Sequence, residues 1–309
     1  MLLCCGEALI DMIPTALPQG GDAFVPHSGG AIFNTAIALG RLGHAAGLLT
    51  GLSTDLFGQQ LEQTLTDSGV DTRYAIRSGR PTTMAFVFLN DGHATYCFYD
   101  ENTAGRMITV SELPDLPENV STLYFGGISL AVEPCAETYA ALMHREAASR
   151  VIMMDPNIRP GFIADEDRYR TRLAGMIADT DILKVSDEDL NWIDPSDSSL
   201  DDKMAGLLKQ GPQAVIITRG KDGATVTTSN GLQLTVKGET VQVVDTVGAG
   251  DTFNAGVLAS LEDQGLLTKD AVASLDENAW RAALSLGAKV AAVTVSRAGA
   301  NPPWADELS

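Results

Sequence analysis

The chain has 309 residues, 45% of them hydrophobic, and a formal net charge of −19. Such a length supports one large core, or a large core with a small appendage. So acidic a balance argues against sequence-independent nucleic-acid binding, which needs cations to displace counterions, yet leaves room for a nucleotide site where local amides and Mg²⁺ offset phosphate charge.

Residues 2–9 read as a first strand. Residues 31–42 place small and apolar side chains at helical spacing and are stopped by Gly43. A strand over 46–50 and a helix over 57–68 follow. Thereafter short apolar strands at 122–125, 151–154, 182–185 and 214–218 alternate with helices over 133–149, 168–178 and 201–209. The alternation predicts parallel βαβ units in a three-layer α/β/α sandwich with a mainly parallel central sheet. Two pieces break the pattern. Residues 82–89 and 93–99 are strand-like around a strong turn, Asn90-Asp91-Gly92, and the Pro/Gly-rich residues 13–27 could add an edge. A hairpin with so little core of its own must cover something: a site, as a lid, or a partner subunit, because an exposed edge invites pairing. The expected division is an α/β domain of residues 1–12, 28–80 and 105–309 with a β-lid of residues 13–27 and 81–104. A homodimer through the lid is a further expectation.

No apolar run is long enough to span a bilayer, and the N-terminus lacks a basic region and a cleavage site. The four cysteines (Cys4, Cys5, Cys97, Cys135) show neither CxxC nor metal-ligand spacing, so a reducing cytoplasm fits.

The most informative segment is Asp245-Thr246-Val247-Gly248-Ala249-Gly250-Asp251, set between a β-like run at 240–244 and an apolar helix at 252–261. A Gly-Ala-Gly turn opening a helix leaves backbone N–H groups facing outward, and the helix dipole favours an anion there. Asp251, in the first turn, would stand beside that anion. A phosphate seat next to a carboxylate is what phosphoryl transfer to a hydroxyl needs. An acidic residue stabilising its own helix explains Asp251 equally well when the segment is read alone. GxxxxGK[ST] is absent, which excludes a P-loop. A second Gly-rich helix start, Ser28-Gly29-Gly30-Ala31-Ile32-Phe33-Asn34, puts the Asn34 amide within reach of a ligand over the glycines, or merely supplies small residues for close packing.

These segments, with several others, resemble the PfkB family of ribokinase-like carbohydrate kinases over essentially the whole chain. In order they are Gly6-Glu7-Ala8-Leu9-Ile10-Asp11, the Gly29-Gly30…Asn34 signature, Ser53-Thr54-Asp55-Leu56-Phe57-Gly58, Asp155-Pro156-Asn157-Ile158-Arg159-Pro160, Thr218-Arg219-Gly220-Lys221-Asp222-Gly223, the Asp245…Asp251 signature, and Ser296-Arg297-Ala298-Gly299-Ala300. The resemblance implies ATP-dependent phosphorylation of a sugar, with Mg²⁺ as cofactor. It implies that Asp11, the Gly29-Gly30 turn and Asn34 bind sugar hydroxyls, that Gly248, Ala249 and Gly250 form the anion hole, and that Asp251 is the base. Lys184 leads a segment written K-x-N-x-x-E in the family. Ser186 and Asp189 stand in place of the Asn and Glu, so water-bridged contact of Asp189 with Mg²⁺ is easier to defend than direct contact; an acidic first helical turn is the plainer explanation. Thr218, Gly220 and Gly223 would line the nucleotide side, with Lys184 and Ser186. Gly287, Ala288 and Ala292 match the helix on which adenine lies in relatives, although helix packing asks for the same small residues. By the same resemblance K⁺ would be held by Asp245 and the carbonyls of Val247, Thr294, Arg297 and Gly299.

Arg159 falls at a strand's carboxyl end, where α/β ligands bind. On the lid strand, Tyr96, Phe98 and Asp100 alternate onto one face. Two aromatic planes and a carboxylate suit a neutral, hydroxyl-rich sugar, unless the aromatics are hairpin or dimer core. With Asp11 and Asp100 flanking Arg159, an acidic sugar would meet repulsion. The pattern looks most like the fructokinase branch, with D-fructose phosphorylated at a primary hydroxyl. 2-Keto-3-deoxygluconate kinase and ribokinase are the alternatives within the family. An inactive sugar-sensing relative is the alternative of another class, against which the presence of Asp251 and its Gly-Ala-Gly turn counts.

Overall fold

The strands in chain order are β1 (Leu2–Cys5), β2 (Leu9–Ala16), β3 (Asp22–Gly29), β4 (Ala46–Leu49), β5 (Gly51–Ser53), β6 (Ile76–Ser78) and β7 (Met84–Asn90). They continue with β8 (His93–Tyr99), β9 (Thr122–Gly126), β10 (Val151–Asp155), β11 (Ile182–Ser186), β12 (Ala214–Thr218), β13 (Ala224–Thr228) and β14 (Gln233–Val236). The helices are α1 (Ala31–Arg41), α2 (Leu56–Asp67), α3 (Cys135–Glu146), α4 (Glu166–Ala178), α5 (Asp187–Ile193), α6 (Leu200–Leu208), α7 (Ala249–Asp263), α8 (Lys269–Val272) and α9 (Glu277–Val295). The computed structural model describes residues 1–90 and 93–308, and only the backbone of Asp22, residues 89–90 and residues 93–96. The expected Asn90-Asp91-Gly92 turn and the Tyr96 side chain therefore lie outside the described residues.

The large sheet runs β14-β13-β12-β11-β10-β9-β1-β4, parallel from β12 to β4 and closed by an antiparallel β13–β14 hairpin. Its parallel strands are near-continuous apolar runs, as burial on both faces requires. Side-chain alternation sends Leu2 and Cys4 into a core shared with α1, α7 and α9, and Leu3 and Cys5 into a core shared with α3, α4, α5 and α6. This is the expected three-layer sandwich, and Cys4 and Cys5 are buried thiols within it. Helices α7 and α9 cross at glycines: a Cβ on Gly256 would stand 2.7 Å from Gly287 Cα, and one on Gly287 would stand 3.0 Å from the Phe253 ring. Gly287 therefore serves helix packing.

The smaller sheet runs β3-β2-β7-β8, with β2 parallel to β7 and the other pairs antiparallel. Residues 9–29 thus contribute more than an added edge. β2 lies inside the sheet, and the pair reaches beyond residues 13–27 at both ends. Residues 2–9 are not one strand. The chain leaves the large sheet at Gly6, where a Cβ would stand 2.4 Å from Ile32 Cγ1, and enters the small sheet at Leu9. The β-like run at 240–244 is not a strand either. Its β-branched side chains are exposed, with Val243 and Val244 each at 59%, no neighbouring strand takes it up among the described residues, and the Val244 amide instead bonds the Val295 carbonyl at the end of α9.

Candidate active site

A cavity of about 960 Å³ opens at the carboxyl ends of the parallel strands, beside β1 and β9. There the chain order reverses: β1 leads to β4 on one side, and β9 leads to β10, β11 and β12 on the other. Open α/β sheets leave a crevice at such a point. The cavity gathers Asp11, Gly30, Asn34, Phe98, Asp100, Arg159, Lys184, Gly248, Ala249, Gly250 and Asp251 from the expected residues. It also gathers Glu7, Arg106 and Asp155, which were not singled out.

One end of the cavity is the start of α7. Gly248 is its N-cap in the left-handed conformation (φ 78°), and a Cβ there would stand 2.6 Å from the Ala300 Cβ. Ala249 N–H is drawn into a 3.3 Å bond with the Thr246 carbonyl. At the expected anion seat the turn therefore leaves three amides unpaired among the described residues, those of Gly248, Gly250 and Asp251, while that of Ala249 is engaged.

Asp251 projects from the first turn of α7 and is buried. Asn34 Nδ2 donates to its Oδ2 at 2.9 Å, and Thr35 Oγ1 donates to its backbone carbonyl at 3.0 Å, so α1 and α7 are joined at this carboxylate. Burial pushes its pKa up to about 7; the Asn34 bond and Lys184 pull it down, while Asp155 and Glu7 add to the rise. A base poised there is half ionised at neutral pH.

Behind the seat lies a buried polar cluster. Lys184 Nζ donates to Asp155 Oδ2 at 2.8 Å, and Asn254 Nδ2 donates to the same oxygen and to Tyr124 Oη, each at 2.8 Å. Asn254 sits one turn after Asp251 on α7, so the cluster ties the strand ends to the helix that carries the base.

The other end is walled by the small sheet. A Cβ on Gly29 would stand 2.2 Å from Asp11 Oδ2, so Gly29 makes room for that carboxylate. Burial pushes the Asp11 pKa up to about 6. Gly30 caps α1 at φ 109°, a backbone conformation only glycine adopts without strain. Glu7 Oε1 accepts the Ala31 amide at 3.0 Å and Oε2 the Ser129 amide at 3.3 Å, which joins the start of α1 to the turn after β9. Asp100 Oδ1 accepts from Thr83 and Thr103, each hydroxyl donating, at 2.8 and 3.0 Å. Its Oδ2 lies 3.6 Å from Arg106, not against Arg159. Asp100 therefore has its own cation in Arg106, and the hydrogen bond of Arg159 runs to the neighbouring Ile158 carbonyl at 3.1 Å. Phe98 packs edge-on against Phe162, with centroids 4.2 Å apart.

Other expected residues stand outside this cavity. Ser186 and Asp189 form a capping box at the start of α5, and the remaining Asp189 oxygen accepts the Ile158 amide at 2.8 Å. Asp189 thus pins the Arg159 loop. Its oxygens are engaged by the backbone and Ser186, and no cluster of three metal-binding side chains exists among the described residues. Thr218, Gly220 and Gly223 form the β12–β13 turn, where a Cβ on Gly223 would stand 2.0 Å from the Val236 carbonyl. Ala288 and Ala292 lie on α9. Asp245 accepts the amides of Val247 at 3.0 Å and Gly299 at 2.9 Å, bringing the two expected K⁺-binding segments together.

Of the residues that sequence reasoning missed, Glu7, Asp155 and Asn254 act through partners distant in the chain, and Arg106 through Asp100 across a loop. Asp155 and Glu7 lay inside quoted motifs, and their apolar flanks (Met153 and Met154; Leu9 and Ile10) were the available signal that a charge was being buried.

An anion seat facing a buried carboxylate, in a cavity at the switch point of a parallel sheet, defines a phosphotransferase acting on a small molecule. The family model described as pfkB family carbohydrate kinase matches residues 1–307, and the chain belongs to that family. A fructokinase of Rhizobium leguminosarum bv. trifolii is 54% identical over 281 residues, which is 91% of this chain and 86% of the relative. Fructokinase-1 of Oryza sativa subsp. japonica is 30% identical over 100% of this chain and 95% of its own. The crystal structure of a fructokinase from Xylella fastidiosa with bound ATP superposes with a TM-score of 0.90 at 29% identity, covering 99% of this chain and 97% of that one.

Proposed function

We propose that this carbohydrate kinase transfers the γ-phosphoryl group of ATP to D-fructose at a primary hydroxyl. The carrying observation is the Asp251 carboxylate, buried beside the unpaired amides of Gly248 and Gly250 and sharing one cavity with Asp11 and Asp100. The fructokinases at 54% and 30% identity, and the ATP-bound fructokinase of like fold, support both sugar and nucleotide. Fructose would lie between Asp11, Asn34 and the lid. Its acceptor hydroxyl would face Asp251, which orients it and takes its proton as the bond to phosphorus forms. The amides of residues 248, 250 and 251 would hold the charge that spreads over the phosphoryl oxygens. Thr218, Gly220, Gly223, Ala288 and Ala292 remain the proposed nucleotide side.

Mg²⁺ would arrive on the ATP phosphates rather than in a protein cage, which fits the engaged Asp189 and the absence of a metal-binding cluster among the described residues. K⁺ is proposed at Asp245 with the carbonyls of residues 247, 294, 297 and 299. The small sheet, residues 9–29 and 81–104, is proposed to close over the sugar. Its far face carries Phe24, Phe86, Phe88 and Tyr99 in edge-to-face contact, with Phe88 and Tyr99 exposed, and this supports a homodimer through the lid. No helix among the described residues is long and apolar enough to cross a membrane, and four free thiols fit a reducing cytoplasm.

The test is ADP release across fructose, ribose and 2-keto-3-deoxygluconate. Fructose should give the highest kcat/KM. Preference for the keto acid would mean that Arg106 and Arg159 together overcome the cavity's carboxylates, and sugar binding without ADP release would revive the sensor reading.

A further inference from the structure

Asp155 has no role in the reaction described so far, yet it is the most buried of the carboxylates lining the cavity, 2% exposed against 7–8% for Glu7, Asp100 and Asp251. We infer that Asp155 is a positioning residue for phosphoryl transfer: through its ion pair it holds the Lys184 ammonium charged and aimed at the anion seat of residues 248–250. This rests on the kinase reading above.

Three observations carry it. The first is register. Strands β10 and β11 pair in parallel with Met154 opposite Leu183, which places Asp155 beside Lys184 on the same side of the sheet. The second is aim. A Cβ built on Gly250 would lie 3.4 Å from Lys184 Nζ, and no other side chain stands nearer to that point. An ammonium has three donors, and among the described residues Lys184 spends one, on Asp155. The others have no protein acceptor, whereas a phosphoryl oxygen seated on the Gly250 amide would supply one. The third is rigidity. The Asp155 carboxylate is fixed by the Asn157 amide at 3.2 Å, by Asn254 at 2.8 Å and by Lys184 itself, so it cannot swing away when an anion arrives.

The energetics point the same way. A buried ion pair is a poor device for stability, since apolar residues of like volume usually hold a core as well or better. The flanking Met153, Met154, Leu183 and Val185 show that these strands otherwise take apolar residues. Burial pulls the Lys184 pKa down, and the charge and hydrogen bond of Asp155 outweigh that and hold it above the ordinary lysine value. A fixed cation facing the transferred group stabilises charge that develops as the phosphoryl leaves ADP, at no cost of reorganisation.

The test compares Lys184→Met, Asp155→Asn and the double variant with wild type, by ADP release with fructose and ATP. Lys184→Met and Asp155→Asn should each lower kcat on the order of 10²-fold, with KM for fructose moving less than about threefold. The double variant should be about as slow as Lys184→Met alone, because the effect inferred for Asp155 on the reaction runs through Lys184. A merely structural Asp155 would instead add its loss to that of Lys184→Met and weaken fructose binding. If Asp155→Asn alone does not fold, the double variant still decides, since it leaves no unpaired buried charge. Wild-type turnover in either single variant overturns the inference, as does a double variant more than about tenfold slower than Lys184→Met. If wild type itself releases no ADP with fructose, the proposed function fails instead.

Discussion

The two ends of the cavity are built on different supports. At the α7 end the functional groups sit on strand termini and a helix start, buried between two cores, and each is fixed by a partner: Asp251 by Asn34, Lys184 by Asp155, Asn254 by Tyr124. At the lid end they sit on a four-stranded sheet with one face over the cavity and the other presenting exposed aromatics. The difference teaches where each task belongs. Charge stabilisation needs groups that do not move. Admission and enclosure of a sugar need a part that can.

The strongest way to sharpen this contrast is Asp251→Asn. Loss of the base should lower kcat on the order of 10²–10⁴-fold while fructose binding survives. The same change should stabilise the protein. The folded pKa of Asp251, about 7, is raised above its usual 3.8, so the stability it contributes is fully present below the unfolded value and is lost as pH rises to about 7. An Asn retains the bond to Asn34 without that loss, and melting at pH 8 should show a gain on the order of 1–4 kcal/mol. A variant that is inactive and less stable would show that Asp251 is not held against its solvation.

A lid-end change should behave differently. Asp11→Asn should raise KM for fructose on the order of 10-fold or more and leave kcat with the smaller share of the loss, because a charged hydrogen bond to a ground-state hydroxyl is removed. Equal losses in kcat would move Asp11 from sugar binding into the chemistry. The pH dependence follows from the two ends together. kcat/KM should rise about tenfold per unit up to pH 7, where Asp251 ionises, with Asp11 adding curvature near pH 6. An acid limb near pH 4 would mean that Asp251 is ionised throughout. The smallest effect concerns motion. Saturating fructose should slow hydrogen exchange in residues 81–90 and leave β10 and β11 unchanged, and identical exchange with and without sugar would make the small sheet a fixed wall.

The layered fold was legible because parallel strands covered on both faces must be apolar and helices between them must be periodic, as at 122–125 and 31–42. The proposed anion seat was legible only in company: Gly-Ala-Gly before a helix with an acid in its first turn fits a helix start equally well, and it was the order of the other motifs around it that pointed to a phosphate. Partnerships were not legible. Nothing near Asp155 announces Lys184, because the register of β10 and β11 decides that pair, and nothing near Asp100 announces Arg106, because the path of the loop after β8 decides that one. Asp189 was ambiguous for a related reason: an acid at the third position of a helix serves a capping box as readily as a metal, and here it forms the box. Residues 240–244 show composition misleading outright, since β-branched residues make a strand only where another strand is free to pair.

The glycine crossing of α7 and α9 has a consequence for how this enzyme can change. With Gly256 against Gly287 Cα and Gly287 against the Phe253 ring, neither position accepts a side chain without parting two helices. The helix bearing the proposed base is therefore locked against α9 at this crossing. Selection for a different sugar, in nature or in a directed library, has little to explore there. On the proposed reading, diversity placed in Asp11, Phe98, Asp100 and Arg106 would sample new acceptors while the α7 end stays intact, whereas changes at Gly256 and Gly287 would part the two helices.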